Sequence, residues 1–379
     1  MTPFLVGSPL SKTNFAYLCK NVRRRNNLLT SLILRQPSKL KNRMDAQMTV
    51  RENDELQQAK TFVLNWQQTI DSATEDGLPA GFTEYMADNY LWRGMHPFHE
   101  QTGSDSVIDV FYRPFRRAFS AVQRRQDIFF AGRNQIDDFN SVWVASMGHF
   151  MGLFDQPFIG IAPHQKIVMI RYAEFHKVEK NQISETALFI DLLHLMAQVG
   201  VNPIMKQTGV HLIQPGPQTH DGLLFADHNL QEGKATLSLI NRMIADINEG
   251  QYATPEDELR QCWHDDMLWW GPTGIGATYT INRYIQQHQK PFRTQNEGRR
   301  FNSHICRMAE GNYGGFFGWP NLSLRPTGGY MGMPPYNDFA DMRIVDIYRR
   351  KGDKLAENWV FIDLLHFLNM QGQDILGQI

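Results

Sequence analysis

Apolar residues recur at helical spacing near the start of each half of the chain. Over residues 55–70 they fall three and four positions apart, which predicts an amphipathic helix with one buried face. The same spacing returns over residues 235–247. Shorter helices are expected in matching pairs: 82–86 with 256–262, and 107–121, which Pro114 interrupts, with 279–288.

Beyond these helices the pattern changes to strands. Extended segments are expected at 127–130, 141–147 and 303–309, and a β-hairpin is expected near the end of each half, its first strand at 167–178 or at 342–350. The second hairpin turns at Gly352-Asp353, a favourable pair for a tight turn. Each half therefore orders its helices before an antiparallel sheet, which predicts the α+β class.

One stretch of sixteen residues occurs twice. ETALFIDLLHLMAQVG at 185–200 returns as ENWVFIDLLHFLNMQG at 357–372, 172 positions later and with eight identities. The motif Leu-Trp-x-Gly also occurs twice, at 91–94 and 268–271. Two copies of this length indicate two domains rather than a solenoid of units about 20–50 residues long. We predict a tandem duplication, with domains at 52–204 and 228–379 and a Pro- and Gly-containing linker at 205–227.

The composition is that of a globular protein, with 42% hydrophobic and 20% charged residues. The net charge of −1 gives no overall field to attract nucleic acid or an anionic membrane, so neither partner is expected. The three cysteines lack disulfide or metal spacing, which favours a reducing compartment and predicts a cytoplasmic protein. No apolar run reaches the roughly 20 residues that a membrane span needs.

The first fifty residues differ from the rest of the chain. They hold nine Lys or Arg against a single acid, Asp45. We expect residues 1–51 to form a basic, disordered extension. A transit peptide would have the same composition, and a start at Met44 or Met48 is the other alternative.

Motifs in the second half carry a resemblance to a known family. Gly332-Met333-Pro334-Pro335, the hairpin turn at 351–354, Glu357-Asn358-Trp359, Asp363 and the glycine nine residues later resemble the C-terminal half of SnoaL-like polyketide cyclases, also called predicted ester cyclases. The resemblance extends more weakly to the first half. It implies the nuclear transport factor 2-like fold, in which helices form a cone against a curved antiparallel sheet, and here two such domains in tandem.

The resemblance does not carry over the family's chemistry residue by residue. Where the family has a catalytic carboxylate, this chain has Val360, and Leu188 in the first half. Where the family has a histidine on the preceding strand, this chain has Asp346 and Glu174. The scaffold is therefore expected to be shared, while the acid/base groups have to be found among other residues.

Strand alternation selects those groups. If Val360 faces the cone, then Asn358 faces it too, and the paired strand points Ile344, Asp346 and Tyr348 inward. The corresponding inward set of the first half is Ile170, Tyr172, Glu174 and His176. The candidate catalytic residues are Asp346, Tyr348, Glu174 and His149, and the candidate substrate-binding residues are Trp92, His96, Trp269, Trp270, Tyr172, Asn358 and Trp319.

Each candidate also has a structural interpretation. Asp346 and Glu174 could form ion pairs with nearby arginines rather than act as bases. Asp191 and Asp363 precede helical segments and are better explained as N-caps than as catalysts. Glu185 and its repeat partner face away from the cone, towards hydrogen bonds or the contact between halves. The recurring His194 and His366 lie in apolar runs and are expected to be structural.

No cofactor or metal is expected. The sequence has no dinucleotide or phosphate loop and no nucleophile elbow, and His96-x-x-His99 lacks a supported third ligand. The leading hypothesis is a cyclase-type enzyme that uses acid/base chemistry alone for aldol-type cyclisation, isomerisation, hydration or dehydration of a small carbonyl-bearing molecule. The alternative is a non-catalytic protein that binds a small molecule and has lost the family's acid.

A third hypothesis assigns one half a structural role and the other half the site. The contact between sheets that family members make as dimers would then be internal, and the chain would be its own pseudo-dimer, with further oligomers possible. Acid/base groups inside both cones would oppose this hypothesis.

Overall fold

Each half of the chain begins with helices and ends with strands, as the pattern of apolar positions predicts. A computed structural model describes residues 50–204, 206–210 and 212–379. The expected extension at 1–51 therefore lies outside the described residues, apart from residues 50 and 51, which are helical. Residues 55–379 form one compact unit that contains two sheets.

The first half carries the first sheet. Its elements are helices α1 (50–72) and α2 (Leu78–Tyr85), strands β1 (Met86–Gly94) and β2 (Glu100–Thr102), helices α3 (Ser104–Val107) and α4 (Arg113–Ala118), strands β3 (Phe119–Arg133), β4 (Val142–Phe154), β5 (Ile167–Glu179) and β6 (Gln182–Ile190), and helix α5 (Leu192–Gln198).

The second half repeats this order. It has helices α6 (Leu230–Glu249) and α7 (Pro255–Cys262), strands β7 (Trp263–Trp270) and β8 (Ala277–Tyr279), helices α8 (Ile281–Tyr284) and α9 (Lys290–Thr294), strands β9 (Asn296–Phe301), β10 (Cys306–Glu310), β11 (Tyr313–Pro326), β12 (Ala340–Lys351) and β13 (Lys354–Ile362), and helix α10 (Leu364–Met370).

The third helix of each half contains a wide turn that the sequence did not predict. A π-helical segment, Ile108–Tyr112 or Ile285–Gln289, separates the two short helices and comes just before Pro114 or Pro291. Proline cannot donate a hydrogen bond to the preceding turn, and a wider turn accommodates the loss. The predicted helix at 107–121 also ends earlier, at Ala118, because the chain then enters β3.

Both sheets are mainly antiparallel, with one parallel pair each. The strand orders are β2-β1-β6-β5-β4-β3 and β10-β11-β12-β13-β7-β8, with β9 on β11. The parallel pairs are β1 with β6 and β7 with β13. The prediction of a purely antiparallel sheet of about four strands was therefore too simple, because the Leu-Trp-x-Gly segments are themselves strands.

The two sheets face each other across a second hydrophobic core. Side chains that alternate with the cone-facing ones meet there: the rings of Trp143 and Phe317 are 5.5 Å apart, and those of Phe175 and Phe317 are 5.2 Å apart. Val345 and Ile347 contribute from β12. Each sheet thus has one face towards helices and one towards the other sheet, which confirms the α+β class.

The boundaries of those domains, at 52–204 and 228–379, stay a prediction. The segment between them packs on both halves: Phe129 donates its N–H to the Gly222 carbonyl, and the indole of Trp359 donates to the Pro215 carbonyl. None of the helices in the described residues combines the length and the apolar character that a membrane crossing requires.

Candidate functional site

The cone of the second half encloses a cavity of about 1020 Å³, measured out to its open mouth. Helices α6 to α9 form one wall, and strands β7, β9, β11, β12 and β13 form the other. The lining is mostly apolar and aromatic, and it also carries one carboxylate, two guanidiniums, two imidazoles and four amides. A concave pocket of this kind is the usual form of a small-molecule site.

Strands β12 and β13 place the predicted group of side chains in this cavity. Ile344, Asp346 and Tyr348 reach it from β12, and Asn358 and Val360 reach it from β13. The ladder pairs Asp346 with Val360 and Tyr348 with Asn358. Because side chains alternate along a strand, two short stretches of regular β-structure bring all five to one surface, as the sequence predicts.

Asp346 is the carboxylate of that surface, and its side chain is partly buried. The amide of Asn358 donates to its Oδ1 over 3.1 Å and also donates to the Ile347 carbonyl over 3.1 Å, so Asn358 is held in place from both sides. Burial raises the pKa of Asp346 to about 6, against smaller opposite effects of hydrogen bonds from Asn358 and Tyr348. Within the described residues no arginine or lysine forms an ion pair with it, so the ion-pair interpretation does not apply here.

Tyr348 lies beside Asp346 and remains protonated. Burial raises its pKa well above the ordinary value, and the neighbouring charge of Asp346 raises it further. Its ring packs 5.8 Å from Trp263 and 5.9 Å from Phe316. The pair thus offers a carboxylate that can accept a proton near neutral pH and a hydroxyl that can donate a hydrogen bond.

Two histidines that the sequence did not predict also line the cavity, His288 from the helical wall and His304 beside strand β11. His288 stacks on Trp269 with 4.0 Å between ring centroids, and His304 stacks on Phe316 with 3.9 Å. Burial lowers the pKa of His288 to about 3; burial and then the charge of Arg307 lower that of His304 to about 3. Both rings are therefore neutral at physiological pH and form flat, polarizable walls.

One of them could have been found from spacing. Tyr284, His288 and Phe292 lie four residues apart and follow each other along the α8–α9 segment, with ring centroids 5.3 and 5.6 Å apart. Residues at this spacing share one helix face. His304 has no such signal, because it precedes β10 in an irregular segment.

The Leu-Trp-x-Gly motif has a packing reason. A Cβ atom at Gly271 would lie 2.0 Å from the Trp269 ring, and one at Gly94 would lie 2.1 Å from the Trp92 ring. Only glycine leaves room for each indole to fold back over the chain. In the second half this fold places Trp269 in the cavity wall, whereas Trp92 is buried in the core of the first half, 5.6 Å from Phe111.

The first half holds its corresponding carboxylate in an ion-pair network. Arg124 donates to Glu174 over 2.6 Å and to Asp71 over 2.7 Å, and Gln67 donates to Glu174 over 2.9 Å. Burial alone would raise the pKa of Glu174, but Arg124, His176 and Gln67 outweigh burial and lower it to about 2. A carboxylate of that acidity accepts protons poorly at neutral pH, so the structural interpretation holds for Glu174.

Tyr172, the neighbouring candidate, is equally enclosed. Its ring stacks on Phe150 at 4.4 Å, its hydroxyl lies 3.1 Å from the Ser146 hydroxyl, and the Arg124 guanidinium lies 5.1 Å from its ring. The side chain is fully buried. Glu174 and Tyr172 therefore complete a packed interior in the first half.

Four candidates lie on the wrong face of their sheets or outside the cavity, which corrects their placement near the ligand site. His149 lies two residues after Met147 on the same face of β4, towards the second core, and its Nδ1 lies 3.4 Å from Asp127. Trp270 faces that core as well, and its carbonyl accepts from Arg171. Trp319 lies under the guanidinium of Arg343, 4.1 Å away, and the His96 backbone binds Asp363. Alternation along the strand or an intervening loop separates each from the cone.

The repeated acids at the strand ends are caps, as predicted. Asp191 accepts from the His194 N–H over 2.9 Å, and Asp363 accepts from the His366 N–H over 3.1 Å. Their second oxygens cross to the other half: Asp191 accepts from the Thr273 N–H and Asp363 from the His96 N–H, both at 2.9 Å. His194 is buried, and His366 is partly buried.

Glu185 and Glu357 also lie outside the cavity. Glu185 pairs with Arg93 over 2.7 Å and with Lys177 over 3.3 Å. Glu357 pairs with Arg349 and accepts from the Gln218 N–H, in the segment that joins the halves, over 3.2 Å. The expectation that this pair serves hydrogen bonding rather than the cone is met.

Among the described side chains, no group of three or more His, Cys, Asp or Glu is arranged to hold a metal ion. His96 and His99 lie next to each other, with ring centroids 5.2 Å apart, and Glu100 pairs with Arg93 instead. The side chains that line the cavity offer one carboxylate, hydroxyls, two neutral imidazoles, two guanidiniums and four amides.

Comparison with known proteins finds similarity to one family over part of the chain. Residues 65–199 match the profile of the SnoaL-like polyketide cyclase family. The matched residues lie in the first half, although the motifs are more complete in the second half. The second half repeats part of the first half's sequence and has the same order of elements. None of the curated proteins compared matches the chain.

Several solved structures are similar to part of the chain. An NTF2-like protein from Burkholderia xenovorans LB400 is 14% identical over 37% of this chain and 97% of its own, with a TM-score of 0.30. TsrD from Streptomyces laurentii is 18% identical over 37% of this chain and 96% of its own, with a TM-score of 0.30. An NTF2-like protein from Burkholderia thailandensis E264 is 19% identical over 36% of this chain and 95% of its own, with a TM-score of 0.26.

Proposed function

Because residues 65–199 match the SnoaL-like polyketide cyclase family, we propose that this chain is a cofactor-independent acid/base enzyme that acts on a small carbonyl-bearing molecule. The working site is the cavity of the second half, and the first half is its structural partner. The observation that carries this proposal is Asp346, a partly buried carboxylate in a mostly apolar cavity, where desolvation raises its pKa to about 6.

The proposed reaction begins with proton abstraction. The ionised Asp346 removes a proton from the carbon next to the carbonyl of the ligand, and the electron pair of that C–H bond moves to the carbonyl oxygen. Tyr348, which stays protonated, donates a hydrogen bond to the resulting enolate oxygen. Asn358 fixes the Asp346 carboxylate through its own two hydrogen bonds. The enolate then attacks a second carbonyl, whose oxygen takes the proton from Asp346, or takes that proton back at another carbon, or expels a leaving group to which the proton passes.

The relation of the two halves supports this assignment. Glu174 occupies the position of Asp346 in the repeat, but it is ion-paired with Arg124 and has a pKa of about 2. A general base works best when its pKa lies near the operating pH. Of these two equivalent carboxylates, only Asp346 meets that condition.

The alternative function, non-catalytic binding of a small molecule, rests on Val360 and Leu188. Val360 lines the cavity at the position where the family has its acid, so the family's own base is absent from the site. If the chain only binds its ligand, Asp346 is a buried polar group without a catalytic role. The two functions differ in one measurable property, the proton transfer itself.

Proton exchange at carbon tests the proposal. The α-protons of 2-tetralone, an apolar ketone that fits the cavity's chemistry, exchange in D₂O and are followed by NMR. Wild-type protein is expected to accelerate this exchange, and Asp346→Asn to lower the acceleration by about 10²–10⁴-fold, the usual contribution of a general base. Glu174→Gln is the matched control in the first half and is expected to retain the acceleration.

Two outcomes would count against the proposal. If Glu174→Gln removes the exchange activity and Asp346→Asn keeps it, the working site is in the first half. If wild-type protein binds 2-tetralone without accelerating exchange, non-catalytic binding is the better description.

A further inference from the structure

Two arginines stand at the mouth of the second-half cavity, and only one is neutralised. Arg293 pairs with Glu258 over 2.7 Å. Arg299 donates to the Ile247 carbonyl over 2.9 Å, and among the described residues no carboxylate forms an ion pair with it. Both side chains line the cavity and are partly open to solvent. The mouth therefore carries one positive charge without a protein counter-ion.

Arg299 faces the cavity because side chains alternate along a strand. Arg299 and Phe301 lie on the same face of β9, and both line the cavity. Arg300, between them, points away and stacks on Phe339 with 3.6 Å from its guanidinium to the ring centroid. Neighbouring arginines on one strand thus have opposite directions, which makes Arg300 a matched control for the charge of Arg299.

Three residues that line the cavity, Trp263, His288 and Gln289, each have a buried polar atom without a hydrogen-bond partner among the described residues. The indole N–H of Trp263 and the side-chain oxygen of Gln289 have no hydrogen-bond partner among the described residues, although their side chains are only 4% and 5% exposed. Unpaired buried polar atoms are rare in proteins and often mark a place where a ligand or ordered water binds. Both residues line the cavity, so its wall offers a ligand one free N–H donor and one free amide oxygen acceptor.

The charges of the cavity come from different elements. Asp346 belongs to β12, Arg293 to α9 and Arg299 to β9. Asp346 is partly buried, whereas both arginines are exposed. A ligand that reaches from the exposed side of the cavity to β12 would meet a cation and the proposed base.

We infer that the ligand of this cavity is a flat, unsaturated carboxylic acid whose carboxylate binds Arg299. The inference rests on the proposed function, because it concerns the same cavity and orients the carbonyl-bearing part of the ligand towards Asp346. A guanidinium presents parallel N–H donors that match a carboxylate. The stacked rings of Trp269 with His288 and of His304 with Phe316 provide flat walls for the body of such a ligand.

Two probes of equal shape test the inference. 2-Naphthoate carries a carboxylate where 2-naphthamide carries a neutral amide, and both can be titrated against the full chain by calorimetry. Wild-type protein is expected to bind 2-naphthoate at least about tenfold more tightly, the lower end expected for a charge-assisted hydrogen bond. Arg299→Gln is expected to remove this preference, whereas Arg300→Gln is expected to keep it. Added salt should weaken the preference of the wild type because the site is partly exposed.

The inference fails if wild-type protein does not bind 2-naphthoate, if it binds both probes equally, or if Arg299→Gln and Arg300→Gln change the preference alike. Its failure is distinct from that of the proposed function. Asp346→Asn is expected to abolish α-proton exchange but to retain the preference for 2-naphthoate. Loss of exchange in Asp346→Asn together with an unchanged preference in Arg299→Gln would support the base and reject the carboxylic acid.

Discussion

Asp346 lies directly across the β12–β13 ladder from Val360. Val360 stands where the SnoaL-like cyclases resembled by this sequence have their carboxylate. The side chains of both residues point into the same cavity, so an acid on the neighbouring strand faces the same ligand volume.

The pH dependence of catalysis should report Asp346. Its pKa of about 6 means that the ionised, basic form predominates above that pH. Proton exchange should rise with pH and level off above about pH 7, and at pH 5 it should reach about one-tenth of the plateau. NMR measurement of the exchange rate from pH 4.5 to 8 checks this. A rate that is flat through pH 6 would show that another group removes the proton.

The same carboxylate should reduce stability at neutral pH. Burial raises the pKa of Asp346 from 3.8 to about 6, so the folded state binds this proton more tightly than the unfolded state. Its favourable contribution is complete below about pH 3.8 and is lost as pH rises through 6, a difference of about 3 kcal/mol. Asp346→Asn should therefore be more stable than wild type at pH 8, and the gain should shrink towards pH 4.

Urea denaturation at the two pH values measures this difference. Asp353→Asn, in the exposed turn of the same hairpin, is the control and should show no comparable gain. If Asp346→Asn is less stable than wild type at pH 8, the carboxylate is held by favourable contacts rather than by burial alone.

The Arg124–Glu174 pair should stabilise the first half. Arg124→Met leaves Glu174 charged and buried without its closest partner, which typically costs about 3–5 kcal/mol. Arg125→Met, at the exposed neighbouring position, should change stability little. Thermal and urea unfolding of both variants check the expectation. The double variant Arg124→Met/Glu174→Leu should recover much of the loss, because it removes the unpaired charge as well.

Acid should weaken this network. The pKa of Glu174 is lowered from 4.5 to about 2, so its contribution is present above about pH 4.5 and is lost as pH falls towards 2. The difference in unfolding free energy between wild type and the double variant should therefore shrink over that range. A constant difference would mean that the ion pair is not the source of the stabilisation.

Asp363 should support both a helix and the contact between halves. Asp363→Ala removes the cap of α10 and leaves the His96 N–H without its acceptor. A lost cap costs about 1 kcal/mol and an unpaired buried N–H about 1–3 kcal/mol, so a loss of about 2–4 kcal/mol is expected. Urea denaturation measures it, with Asp374→Ala at the exposed C-terminal segment as control. Equal effects of the two changes would refute the cross-contact as a stabilising feature.

Local pattern determined much of this protein. Helical spacing at 55–70, strand alternation around Asp346 and Tyr348, and the repeat at 185–200 and 357–372 specify two α+β halves and the side chains that face each cone. These features depend on periodicity within single elements, which the sequence records directly. The capping role of Asp191 and Asp363 was predictable for the same reason, because a cap acts on its own helix.

Tertiary structure decided what surrounds the carboxylate of each half. Glu174 and Asp346 are equivalent in the repeat, yet of these two only Glu174 pairs with an arginine, which comes from β3, fifty residues away in the chain. His304 reaches the cavity from an irregular segment. These outcomes depend on contacts between distant segments, and no local period encodes which segments will meet.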